Sequence, residues 1–133
     1  MILVDSSVWI DFFQGASNTA VSQLIKLLQD GNSDLATADL VVFEVLRGFR
    51  HNRAMLEAQA LLSQMAQVEL GGLENALQGV EHYRALRARG YSIRSPIDVL
   101  LAAYCITHQH LLLHRDADFD VLQTLRGLQV LPH

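Results

Sequence analysis

The chain has 133 residues, half of them hydrophobic and 18% charged, which suits one compact domain and excludes a disordered chain. Its single cysteine, Cys105, excludes an intrachain disulfide framework and a thiolate zinc cluster, and a reducing compartment is the expected setting. The net charge of −4 is wrong for a simple electrostatic nucleic-acid binder, yet every basic residue except Lys26 is arginine, the side chain best suited to bidentate phosphate contacts.

The apolar start, Met1–Val4, is broken by Asp5 and has no basic lead, so no targeting signal is expected. The apolar stretches around Leu40–Leu46 and Val99–Ile106 fall well short of the ~20 residues of a membrane helix. The expectation is a soluble, cytoplasmic protein.

In chain order, Ile2–Val4 reads as a buried strand. Ser6 or Ser7 then caps a short helix through Phe13, stopped near Gly15. Val21, Leu24, Ile25, Leu27 and Leu28 mark a helix over Thr19–Asp30, with Gly31 as its terminator. A weaker strand is read at Asp34–Thr37, followed by helices over Ala38–Phe49 and Asn52–Met65. A brief strand near Val68–Leu70 precedes Gly71-Gly72 and a helix from Leu73 to Ala88. Ser95-Pro96 starts a further helix, with Ser as N-cap and Pro in the first turn, running to about Gln109. His110–Leu113 is a second buried strand, then come a helix over Ala117–Leu125 and a last strand at Gln129–Leu131. With no repeat or linker, this alternation predicts one three-layer α/β domain, residues 1–133, around a mainly parallel sheet.

Four acids stand out against this frame. Asp5 and Asp116 follow strands, at the sheet edge where open α/β folds bind ligands. Asp98 lies in the first turn behind Ser95-Pro96. Glu44 is embedded in the apolar run VVFEVL. Each has a plain structural explanation when taken alone: Asp5 or Asp116 as a helix cap, Asp98 as complement to a helix dipole, Glu44 on a polar stripe. Together they can converge, and convergent carboxylates need shared protons or bound cations. Oxygen ligands without a Cys or His cluster point to Mg²⁺ or Mn²⁺. Such a site suits in-line hydrolysis of a phosphodiester.

The segments LVDSSVWIDFF (Leu3–Phe13), FEVLRG (Phe43–Gly48), IRSPIDVLLAAYC (Ile93–Cys105) and LLLHRDADFDVL (Leu111–Leu122) resemble the PIN-domain family. Within it they are most similar to the VapC toxins of bacterial toxin–antitoxin pairs, in order and spacing along the whole chain. The resemblance implies a parallel sheet, a Mg²⁺- or Mn²⁺-dependent endoribonuclease acting on RNA, a homodimer, and a cognate antitoxin that blocks the site. By position, Asp5, Glu44, Asp98 and Asp116 would be the catalytic, metal-binding acids, and Ser6 would help to hold the pocket. Asp118 and Asp120 are accessory candidates read as more often solvated than ligating. Two positions depart from the family pattern: Asp116, where Asn is frequent, and His114, where Thr or Ser is common. His114 could contact substrate or metal-bound water, but ending the strand is its favoured reading.

Arg47, Arg50, His51 and Arg53 form one basic patch, and Arg84, Arg87, Arg89 and Arg94 another. Arg94 and Arg115 are the better candidates for phosphate contact, being near expected ligands. Trp9, Phe12 and Phe13 crowd one helix; core packing explains at least two of them, and the resemblance suggests a groove wall for an antitoxin. Other α/β enzymes with an early Asp fit poorly. A haloacid-dehalogenase-type phosphatase needs an Asp where Ser7 stands, a dinucleotide fold needs a glycine-rich first turn, and a response-regulator receiver needs a late Lys. The rival of a different class is a PIN-like module that binds RNA or protein without cutting. Four retained, mutually repelling acids argue against it.

Overall fold

A computed structural model describes residues 1–31 and 34–133. Five strands alternate with seven helices: β1 (Ile2–Val4), α1 (Ser6–Phe13), α2 (Thr19–Gln29), β2 (Leu35–Ala38), α3 (Asp39–Leu46), α4 (Asn52–Ser63), β3 (Ala66–Val68), α5 (Leu73–Ala88), α6 (Pro96–His108), β4 (Leu111–Leu113), α7 (Asp118–Arg126) and β5 (Gln129–Val130). The strands form one sheet in the order β3-β2-β1-β4-β5, and every pairing is parallel.

That order places the site. From β1 the chain moves outward through β2 to β3, then crosses back past β1 to β4 and on to β5. Parallel crossovers are right-handed, so the reversal sends α1–α4 to one face and the later helices to the other. The packing agrees: α1 meets α2 and α3, α3 meets α4, and α6 meets α5 and α7. β1 and β4 therefore flank the switch point of the sheet, where their carboxyl ends diverge and leave a crevice. Leu3, Val4, Leu112 and Leu113 are at most 1% exposed. Helices cover both faces of these strands, as their unbroken apolar runs require.

The local corrections have physical causes. The cap of α1 is Asp5, not Ser6 or Ser7; its side chain accepts from the Ser7 N–H. The helix expected over Ala38–Phe49 starts at Asp39 and ends at Leu46, just ahead of Gly48, before α4 begins at Asn52. The strand expected near Val68–Leu70 lies at Ala66–Val68. Leu70 is fully buried, but its N–H donates to the Asp39 carboxylate at 2.8 Å and so leaves the ladder. Elsewhere element ends move by a residue or two, as helix and strand ends do.

Trp9 is fully buried, stacks on Phe13 at 5.9 Å and meets Phe12 edge-on at 6.0 Å. It is a core residue and not a groove wall. Phe13 is only partly buried and, with Ile10, Val45 and Phe49, lines an open cavity of about 320 Å³.

Candidate active site

The crevice at the switch point gathers acids from four segments. Asp5 leaves β1 with its N–H donating to Leu113 O at 2.9 Å, which ties it to the end of β4. Its side chain is 3% exposed, and Oδ2 accepts from both the N–H and the hydroxyl of Ser7. Oδ1 is buried with no partner. The neighbouring Ser6 donates from Oγ to Glu44 Oε1 at 2.9 Å, linking α1 to α3 across the same face. The sequence offers Ser7 only as a helix cap, not as a partner of the Asp5 carboxylate. Its sign there was the D-S-S run, a short acid followed by two hydroxyls that can fold back on it.

Asp98 comes from the opposite face. Ser95 caps α6, accepting from the Asp98 N–H at 3.4 Å, and Pro96 pre-sets the first turn. This holds Asp98 in that turn, 7% exposed, over the crevice. The loop after β4 supplies the rest. One carboxylate oxygen from each of Asp98, Asp116 and Asp118 lies within 4.8 Å of the others. Asp118, read as a solvated acid, stands in this trio, whereas Asp120 is exposed and outside it. The Asp118 N–H donates to Asp116 Oδ1 at 2.9 Å, a small turn that carries both side chains to the same place.

The acids lie close enough for their charges to act on one another. Burial, then the charges of Asp5, Asp116, Glu44 and Asp118, push the Asp98 carboxyl up to about 7. Burial and the Glu44 charge also raise Asp5, while the Ser7 hydrogen bonds oppose the rise. Near neutral pH this concentration of charge lacks a counterion among the described side chains. The all-oxygen donor set, the orphaned Asp5 Oδ1 and the close trio together fit a hard divalent cation. Of the structural explanations, Asp5 does cap α1, whereas α7 is capped at Ala117 with no side-chain bond and Asp116 accepts only from the Asp118 N–H. Capping and convergence are compatible at Asp5, since the cap occupies one carboxylate oxygen.

The basic candidates divide. Arg115 is turned into an ion pair with Asp11 of α1, which also accepts from Asn18. Arg94 is exposed on the wall of an apolar groove between α5 and α6, beside Tyr83 and Val80. Arg53 pairs with Glu57 on its own helix, and Arg87 donates to Ser92. Arg84 and Arg89 are exposed on α5 and its end. Arg47, Arg50 and His51 are exposed where α3, the helix of Glu44, runs into α4, and Arg47 lies over the Phe43 ring at 5.4 Å.

Comparison with known proteins agrees with this geometry. A family model described as PIN domain matches residues 2–125. The chain is 30% identical over 129 residues to Ribonuclease VapC11 of Mycobacterium tuberculosis, covering 97% of this chain and 96% of that one. Among solved structures it is similar to VapBC2 of Rickettsia felis bound to a promoter DNA fragment (TM-score 0.77, 15% identity, 98% of each chain). It is also similar to VapC20 of Mycobacterium tuberculosis, described as a Sarcin-Ricin loop cleaving toxin (TM-score 0.66, 18% identity, 91% of this chain and 94% of that one). An all-parallel five-stranded sheet with acids gathered at the β1–β4 switch point, matched from end to end by a VapC relative, settles the family: the chain belongs to the PIN-domain family, in its VapC-type branch.

Proposed function

We propose that the protein is a metal-dependent endoribonuclease that serves as the toxin of a toxin–antitoxin pair. The observation that carries the reading is the convergence of Asp98, Asp116 and Asp118 to within 4.8 Å of one another, with the charges of Asp5 and Glu44 also acting on Asp98. Asp5, Asp98 and Asp116, with Glu44 steadied by Ser6 and Asp118 beside them, would hold one or two Mg²⁺ or Mn²⁺ ions. Bound there, such ions would polarise the phosphate, lower the pKa of an attacking water and neutralise the leaving oxygen. The chain's own groups orient that chemistry: Ser7 fixes one Asp5 oxygen, Ser95 fixes the turn bearing Asp98, and Arg47, Arg50 and His51 lie exposed beyond the Glu44 helix, where a phosphate backbone can pass. The relatives' names support RNA as substrate. A pure binding module has no use for a crevice that repels phosphate until cations fill it.

Expressed alone in a bacterial host, the chain should arrest growth and leave discrete RNA ends at mapped positions, whereas Asp98→Asn should do neither. Equal growth arrest by that variant would place the toxicity outside this site.

Two partner surfaces accompany this reading. The cavity bounded by Ile10, Phe13, Val45 and Phe49, rimmed by Arg50 and His51, suits an apolar antitoxin segment that also carries acids. A solved structure of similar fold is described as a toxin-antitoxin complex from Klebsiella pneumoniae. On α5, Leu73, Leu77 and Val80 recur at helical spacing and are 75%, 59% and 52% exposed, a stripe suited to a second copy around a two-fold axis. Light scattering should then give a dimer for the native chain and a monomer for Leu77→Glu; a monomeric native chain contradicts the dimer.

A further inference from the structure

His114 is 5% exposed and directly follows β4, two residues before Asp116. Its Nδ1 accepts from the Asp116 N–H at 3.1 Å. The neutral ring that accepts there carries its proton on Nε2, and Nε2 is buried without a partner. An unpaired buried donor is a standing cost, of about 1–3 kcal/mol. A leucine or phenylalanine would fill the same space without it, so the cost argues that the other ring nitrogen has work to do. That work is visible in the loop. The Asp116 N–H is held by His114, the Asp118 N–H by Asp116 Oδ1 at 2.9 Å, and the Phe119 N–H by Asp116 O at 3.1 Å. Phe119, fully buried, closes the unit by packing its ring on His114 at 4.9 Å between centroids. Three successive constraints thus fix residues 114–119 with Asp116 and Asp118 both turned to Asp98.

We propose that His114 is a positioning residue for the metal centre, holding the Asp116–Asp118 loop in its ligating shape through the Nδ1 hydrogen bond. The inference rests on the metal-centre reading above and replaces the view that His114 merely ends its strand. Backbone partners of this kind, one step removed from a ligand, typically change metal affinity by about 10–100-fold when lost.

The test is calorimetric titration of the full, RNA-free chain with Mn²⁺, each variant paired with a thermal melt. His114→Asn keeps an acceptor at the δ position and should bind Mn²⁺ within about threefold of the native chain. His114→Gln moves the polar group outward and His114→Phe keeps only the ring; both should bind at least roughly tenfold more weakly while remaining folded. Native affinity in the Gln and Phe variants would overturn the inference and leave the metal centre intact. Equal losses in all three, or losses that track a fallen melting temperature, would reduce His114 to packing. No Mn²⁺ binding by the native chain would remove the metal-centre reading and this inference with it.

Discussion

Replacing Asp98 by asparagine is expected to abolish RNA cleavage and also to stabilise the metal-free protein. The second effect follows from linkage. In the fold the Asp98 carboxyl is pushed up to about 7, against 3.8 for an unperturbed aspartate. The unfolded chain therefore loses this proton first as pH rises. Stability is undiminished below about pH 4, falls between about pH 4 and 7, and carries the full penalty above 7. A displacement of this size corresponds to an upper figure on the order of 4 kcal/mol. Asparagine removes the charge and keeps the shape. In the presence of chelator, Asp98→Asn should melt roughly 5–10 °C above the native chain at pH 8 and level with it at pH 4. With Mn²⁺ the order should reverse, because the ion stabilises only the form that binds it. Equal melting at pH 8 in chelator would mean that Asp98 is not held among like charges.

The second large effect is expected at Asp5, where two roles can be separated. Oδ2 caps α1 through Ser7, while Oδ1 is buried and unpartnered. Asn is as good an N-cap as Asp, and replacement by Ala costs about 0.5–2 kcal/mol. Asp5→Asn should therefore retain the fold and lose at least ~100-fold in cleavage, the upper end of what a ligand's supporting partner alone controls. Asp5→Ala should lose the same activity and melt lower as well. If Asp5→Asn cut RNA at the native rate, Asp5 would be only a cap. Circular dichroism melts beside single-turnover cleavage decide between these outcomes.

Much of this site could be read from sequence because its determinants are local. Asp5 follows an apolar triplet, Asp116 follows another, and Ser95-Pro96 marks a helix start that fixes where Asp98 falls. The parallel sheet follows from the alternation of short apolar runs with helical spacing. Local pattern misled where long-range contacts decide. Val68 and Leu70 alternate like a strand, but Leu70 anchors the core from outside the ladder because Asp39 takes its N–H. Arg115 sits one residue from Asp116, yet Asp11, 104 residues away in sequence, claims its guanidinium. Trp9 looked available for a groove until the packing of α1 buried it. Asp118 looked solvated because nothing in its own stretch shows that the short turn held by Asp116 carries it towards Asp98, which comes from α6. In each case the missing information was the partner, and partners come from the fold.

The most direct test of a metal-dependent nuclease at this site is cleavage of total cellular and transfer RNA by purified, partner-free protein with Mn²⁺, Mg²⁺ or chelator, run beside Asp98→Asn. Discrete products are expected that require a divalent ion, disappear in chelator, return when metal is added back, and are absent with the variant. Cleavage that persists in chelator, or at the native rate with Asp98→Asn, would contradict that assignment. So would no cleavage at all by folded, antitoxin-free protein that nonetheless binds RNA, which would favour the binding module.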